Sequence, residues 1–138
     1  MYYKSGRRTK LIIAGDTRFF NYAWLKEKVD QFIETNNIDR GDVQIVIGAD
    51  KGASWLGGVY AKAYDIPTRV FRANHRRYKD GAIAKRNAAM ADYATHCIVF
   101  PIFKQSIESY DMAKKALESK LVLAIWETKD GKITRVDF

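Results

Sequence analysis

With 138 residues, 47% of them hydrophobic and 29% charged, the chain has the length and composition of one globular domain and not of a disordered segment. No apolar run approaches a membrane span and no signal-peptide pattern opens the sequence, so the expectation is a cytoplasmic protein with no membrane partner. One cysteine, Cys97, and two separated histidines leave no intrachain disulfide and no metal set, which fits a reducing compartment.

The net charge of +8 is unevenly placed. Residues 1–10 carry Lys4, Arg7, Arg8 and Lys10 with no acid, and residues 71–90 carry Arg72, Arg76, Arg77, Lys79, Lys85 and Arg86 against Asp80 alone. The remainder is close to neutral. Such concentration points to an anionic partner met at one place.

In chain order, residues 1–9 read as a flexible basic arm and residues 10–138 as the folded domain. Residues 10–14 read as a buried parallel strand, apolar without alternation from Leu11 onward. Gly15, Asp16, Thr17 and Arg18 follow as a loop. Residues 22–36 then place Leu25, Val29, Phe32 and Ile33 on one helical stripe, with Asn21 as N-cap. A second strand, residues 43–47, enters the loop Gly48-Ala49-Asp50-Lys51-Gly52-Ala53-Ser54. The next helix, residues 54–64, has Ser54 as its expected cap and Leu56, Val59, Tyr60 and Ala63 as its stripe. Gly57 and Gly58 cost that helix about 1 kcal/mol each against Ala, so another element is expected to approach closely there.

Asp65, Ile66 and Pro67 end the helix, and residues 68–72 form the third strand. The basic stretch follows as a loop holding Asn74 and His75, then a helix over residues 81–93 with Ile83, Asn87, Met90 and Ala91 along one side. Residues 96–100 are a fourth strand, 101–109 a loop, 110–119 a helix and 121–128 a fifth strand. Lys129, Asp130, Gly131 and Lys132 turn the chain into a last strand, residues 133–138. Alternating strands and helices give a single-domain α/β fold: a mainly parallel sheet, helices on both faces and a C-terminal antiparallel hairpin.

Four segments carry a family resemblance. Residues 73–90 contain A-N-H-R-R-Y-K-D-G and A-K-R-N-A-A-M, residues 15–22 read G-D-T-R-F-F-N-Y, residues 48–54 read G-A-D-K-G-A-S, and residues 109–116 read S-Y-D-M-A-K-K-A. In this order at strand ends they resemble the YspA/YpsA-related branch of the SLOG superfamily. That resemblance implies a Rossmann-like fold and binding of nucleotides or their derivatives. The chain departs from the pattern at three places. Thr17 stands at the family arginine with Arg18 one place later, Ser54 replaces an aspartate, and Glu108 replaces a glycine.

Three functions follow as expectations. The first is binding of a nucleotide-derived small molecule, with no further cofactor, in a sensor or sequestering role that the superfamily links to bacterial or phage conflict. Gly15, Asp16, Thr17, Arg18, Gly48, Ala49, Lys51, Gly52, Ser54, Asn74, His75, Arg86, Asn87 and Ser109 are its candidate ligand contacts. Arg86 is expected to hold an anionic group because its fork accepts two phosphate oxygens; pairing with Asp92 or Asp50 in a supporting role is the alternative. The second is hydrolysis of an N-glycosidic bond, with Glu108 and Asp111 as candidate catalytic carboxylates. The third is nucleic-acid binding, with His75, Arg77 and Tyr78 as a stacking and phosphate surface. Trp24, Trp55 and Trp126 suit core and interface alike, and a homo-oligomer is expected.

Overall fold

The computed structural model describes residues 7–138. Its strands are β1 (Thr9–Gly15), β2 (Val43–Gly48), β3 (Thr68–Phe71), β4 (His96–Phe100), β5 (Val122–Lys129) and β6 (Lys132–Val136). Its helices are α1 (Tyr22–Thr35), α2 (Ala53–Ala63), α3 (His75–Tyr78), α4 (Ala82–Tyr93) and α5 (Ile107–Glu118). All strands join one sheet in the order β3-β2-β1-β4-β5-β6. The first five run parallel, and β6 returns antiparallel along β5.

The apolar strands are buried on both faces, which is why they lack polar alternation. Leu11 and Ile13 of β1 pack with Leu25, Val29, Phe32 and Ile33 of α1 and with Leu56 and Tyr60 of α2. Ile12 and Ala14 point the other way, into the core that α4 and α5 complete with Met90, Ala91, Met112 and Ala116. Each buried Leu, Ile, Val, Phe or Met side chain among these contributes about 1.5–3 kcal/mol by leaving water. Connections from β1 and β2 lie on one face and those from β3 and β4 on the other, so strand order reverses between β1 and β4. A crevice opens at such a reversal beyond the carboxyl ends of the strands.

The expected α1 is found, with Asn21 Oδ1 accepting from Trp24 N at 3.0 Å. The expected stripe of α2 is corrected. Ala53, Leu56, Gly57, Tyr60 and Ala61 are buried, whereas Val59 is half-exposed and Ala63 exposed. Gly57 sets this face, because a Cβ there would sit 3.0 Å from Ile13 and 3.1 Å from Ile47. The glycine is the contact that seats α2 on the sheet. Nor does Ser54 cap α2, since Gly52 holds the N-cap position.

Three further boundaries differ. β3 is an exposed edge strand, protected by Arg69, whose guanidinium lies 4.9 Å from the Phe71 ring centroid and 4.7 Å from that of Tyr93. The basic stretch folds into the short α3, capped by Asn74 Oδ1, which accepts from Arg77 N at 3.1 Å. α5 begins at Ile107 and not at residue 110. The hairpin turn has positive φ at Asp130 (51°) and Gly131 (73°), the left-handed pair that tight antiparallel turns favour. Residues 1–6 of the expected arm lie outside the described residues. Arg7 donates to Gly41 O, Arg8 N donates to Asp42 Oδ1 at 3.1 Å, and Thr9 already belongs to β1. Among the described residues no helix is long and apolar enough to cross a membrane.

Candidate functional site

At the reversal point the carboxyl ends of β1 and β2, the first turns of α2 and α5 and the middle of α4 enclose a cavity of about 410 Å³. The first wall is the β1–α1 loop. Asp16 is 6% exposed and heavily bonded. Arg18 donates to it from N (2.7 Å), Nε (2.9 Å) and Nη2 (3.0 Å), and Ser106 donates from its hydroxyl. Burial alone would raise the Asp16 pKa, but these donors outweigh it and hold the carboxyl below its ordinary value. Arg18 also donates from Nη1 to Gln105 Oε1 at 2.8 Å and from Nη2 to Gln105 O at 3.2 Å. Its guanidinium is therefore a clamp between two loops, and its donors are already directed at protein acceptors.

Gly52 belongs to the same clamp. Its φ of +73° is disfavoured for other residues, and a Cβ there would lie 2.3 Å from Asp16 O. Asp16 O also accepts from Ala53 N at 3.2 Å. Gly52 thus joins the β1 and β2 loops and does not line the cavity.

Gly48 does line it, for a different reason. A Cβ there would meet Arg86 Nη1 at 2.5 Å, Arg86 Cζ at 2.9 Å and Asp50 Oδ2 at 3.0 Å. The missing side chain is the space that a guanidinium occupies. The Arg86 side chain is 7% exposed and Nη1 lies 2.8 Å from Asp50 Oδ2. This is a close ion pair, yet Nη1 makes no directed hydrogen bond. Nε and Nη2 both reach Asn87 Oδ1 at 3.3 Å. Asn87 continues the chain, donating from Nδ2 to Asp111 Oδ2 at 3.0 Å and Glu108 O at 3.2 Å. Asp111 Oδ1 pairs with Lys115 Nζ at 2.5 Å.

The last wall is α5. The first intrahelical bond runs from Tyr110 N to Ser106 O, so the amides of Ile107, Glu108 and Ser109 precede it and have no helical acceptor. Ser106 does not cap them, because its hydroxyl accepts from Ile102 N at 2.8 Å and donates to Asp16. The helix thus presents open amides and its positive dipole end to the cavity. Two further groups there lack protein partners. Ser54 and Ser109 are 3% and 4% exposed, and among the described residues neither hydroxyl makes a hydrogen bond.

Of the expected contacts, Gly15, Asp16, Thr17, Arg18, Gly48, Ser54, Arg86, Asn87 and Ser109 line the cavity, while Ala49, Lys51, Gly52, Asn74 and His75 do not. Glu108 lines it, but Asp111 stands behind Asn87 as a bonded support. Sequence reasoning missed Asp50, Gln105 and Ser106 as wall residues. Asp50 sits just past β2, a position that carries a signal in α/β nucleotide folds. Ser106 had none, since its partner lies 90 residues away.

The charge balance is also unexpected. Of the basic stretch only Arg86 and Asn87 reach the cavity with Met90, and the lining ionic groups are Arg18 and Arg86 against Asp16, Asp50 and Glu108. An anion here would meet the α5 terminus and its backbone amides, not an excess of basic side chains. Among the described residues no group of three or more His, Cys, Asp or Glu is arranged to hold a metal. Comparison with protein-family models gives no match, and comparison with curated proteins gives no significant one.

Proposed function

We propose that this chain binds a nucleotide-derived small molecule in the cavity between β1 and β4, as a sensor or sequestering protein of the kind its resemblance to the YspA/YpsA-related SLOG branch implies. The observation that carries the reading is a set of polar groups, not all satisfied by protein, gathered in one half-open cavity. Arg86 is buried without a directed bond from Nη1, the Ser54 and Ser109 hydroxyls open on the cavity with no protein partner among the described residues, and the open end of α5 adds three amides. A buried donor left unpaired costs about 1–3 kcal/mol, which applies here to Arg86 Nη1, while the open hydroxyls and amides are free to bond a ligand in place of water. In this reading a phosphate rests on the α5 amides with the Ser109 hydroxyl, and Arg86 supplies countercharge.

Native mass spectrometry of protein purified from cells, followed by calorimetry with nucleoside monophosphates and ADP-ribose, tests it. A charge-assisted hydrogen bond to phosphate is worth roughly 1.5–3 kcal/mol, so Arg86→Ala weakens binding on the order of 10- to 150-fold. Arg86→Lys recovers only part, because a single ammonium cannot hold both the Asp50 pair and the Asn87 contacts that place the charge. Affinity unchanged within about twofold in Arg86→Ala would place Arg86 among the purely structural residues.

A further inference from the structure

Asp50 is a cavity group whose chemistry the phosphate-binding reading does not use. It follows β2 by two residues, at the carboxyl edge of the sheet. Oδ2 faces Arg86, the side chain is 29% exposed, and among the described residues Arg86 is its only partner. One carboxylate oxygen is thus anchored and the other open. Ser54, a buried residue that opens α2, lines the same cavity, and its hydroxyl has no protein partner among the described residues.

An anchored carboxylate is an acceptor without donors, so it repels phosphate and selects groups that carry O–H. A neighbouring serine hydroxyl can donate and accept. Together they match a vicinal diol, whose two hydroxyls need a strong acceptor and a second adaptable partner. Ligands in sheets of this strand order lie in the crevice at the reversal, outside the carboxyl ends of the strands. Here Asp50 and Ser54, beyond β2, and the first turn of α5 with its free amides line that one cavity.

We infer that Asp50, with Ser54, reads the 2′,3′-diol of a ribose, so that the cavity takes ribonucleotides and rejects 2′-deoxyribonucleotides. This inference rests on the proposed binding of a nucleotide-derived ligand. Arg86 then also acts as a positioning residue for Asp50, which is why Gly48 leaves room for the pair.

The test uses the wild-type chain first. Calorimetry compares AMP, GMP, CMP and UMP with the 2′-deoxy form of each base. Ribonucleotides are expected to bind about tenfold or more tightly, the worth of one charge-assisted hydrogen bond. Equal affinities for ribo and deoxy forms, or a preference for deoxy, overturn the inference while leaving the nucleotide reading intact. No binding by any member, ADP-ribose included, overturns both. Asp50→Asn is expected to bring the ribo/deoxy ratio to within about twofold, and a retained ratio removes Asp50 from the role. Should that variant fail to fold, Asp50→Asn combined with Arg86→Gln removes both charges of the pair and leaves neither uncompensated. The ratio, not the affinity, is then read, and it must again collapse.

Discussion

Gly48→Ala tests the geometry of the site without any ligand. The φ of Gly48 is not in the left-handed region, so the backbone accepts an alanine, and the whole cost falls on the contact. The new Cβ would stand 2.5 Å from Arg86 Nη1, about an ångström inside normal contact. A flexible arginine would ordinarily swing away, but this one is 7% exposed and tied to Asp50 and Asn87. Overpacking of this kind costs about 1–3 kcal/mol. Arg86→Ala alone also costs roughly 1–3 kcal/mol, since Asp50 Oδ2 loses its ion-pair partner and Asn87 Oδ1 its donors. In the double variant the new methyl no longer meets a guanidinium; only Asp50 Oδ2 remains, at 3.0 Å. The second substitution then adds little, and the double-mutant cycle shows a coupling of about 1–3 kcal/mol. Urea denaturation of the four proteins measures it. Additivity within about 0.5 kcal/mol would show that Arg86 does not press on Gly48. Gly57→Ala is the control: it meets Ile13 and Ile47, destabilises the fold and shows no coupling to Arg86.

Gly52→Ala forces a side chain into φ +73° and against Asp16 O, and a thermal melt should fall by well over 5 °C, or the protein should fail to accumulate; an unchanged melt contradicts the loop clamp. Asp16 has a folded pKa below its ordinary 3.8, so its contribution to stability is complete above the unfolded value and is lost as pH falls through the folded one. Urea midpoints from pH 6 to pH 3 should therefore fall less steeply in Asp16→Asn than in the wild type, and parallel curves contradict the assignment. Cys97 is fully buried, which pushes its thiol pKa up, so a thiol reagent at pH 8 should label it only after unfolding; rapid labelling of the native protein contradicts the packing of β4.

The sheet was legible because apolar runs such as Ile12-Ile13 must be covered on both sides, and α1 because its stripe had no competitor. α2 was misread because a stripe is sought in side chains, whereas Gly57 makes the closest contact by having none. The start of α5 was misplaced because Ser106 is occupied by Asp16, a contact between residues far apart in sequence. The site was legible as strand ends and glycine loops, but the roles of its charges were not. Gly52 looked like a ligand contact and is a loop clamp, Arg18 lines the cavity and also clamps two loops, and Asp50 looked like a partner for Arg86 yet also lines the cavity. In the sequence the basic stretch reads as one feature. Folding divides it, because α3 and its exposed residues lie outside the cavity while Arg86 and Asn87 turn into it.

The central claim is that a nucleotide-derived ligand sits at the strand-order reversal with its phosphate on the first turn of α5. Amide chemical-shift mapping by NMR during titration with AMP and ADP-ribose tests it most directly. The account predicts the largest shifts at Ile107, Glu108 and Ser109, smaller ones at Gly48 and Ser54, and little at Arg76 and Arg77. Shifts confined to residues 75–79, or none at saturating nucleotide, would contradict it.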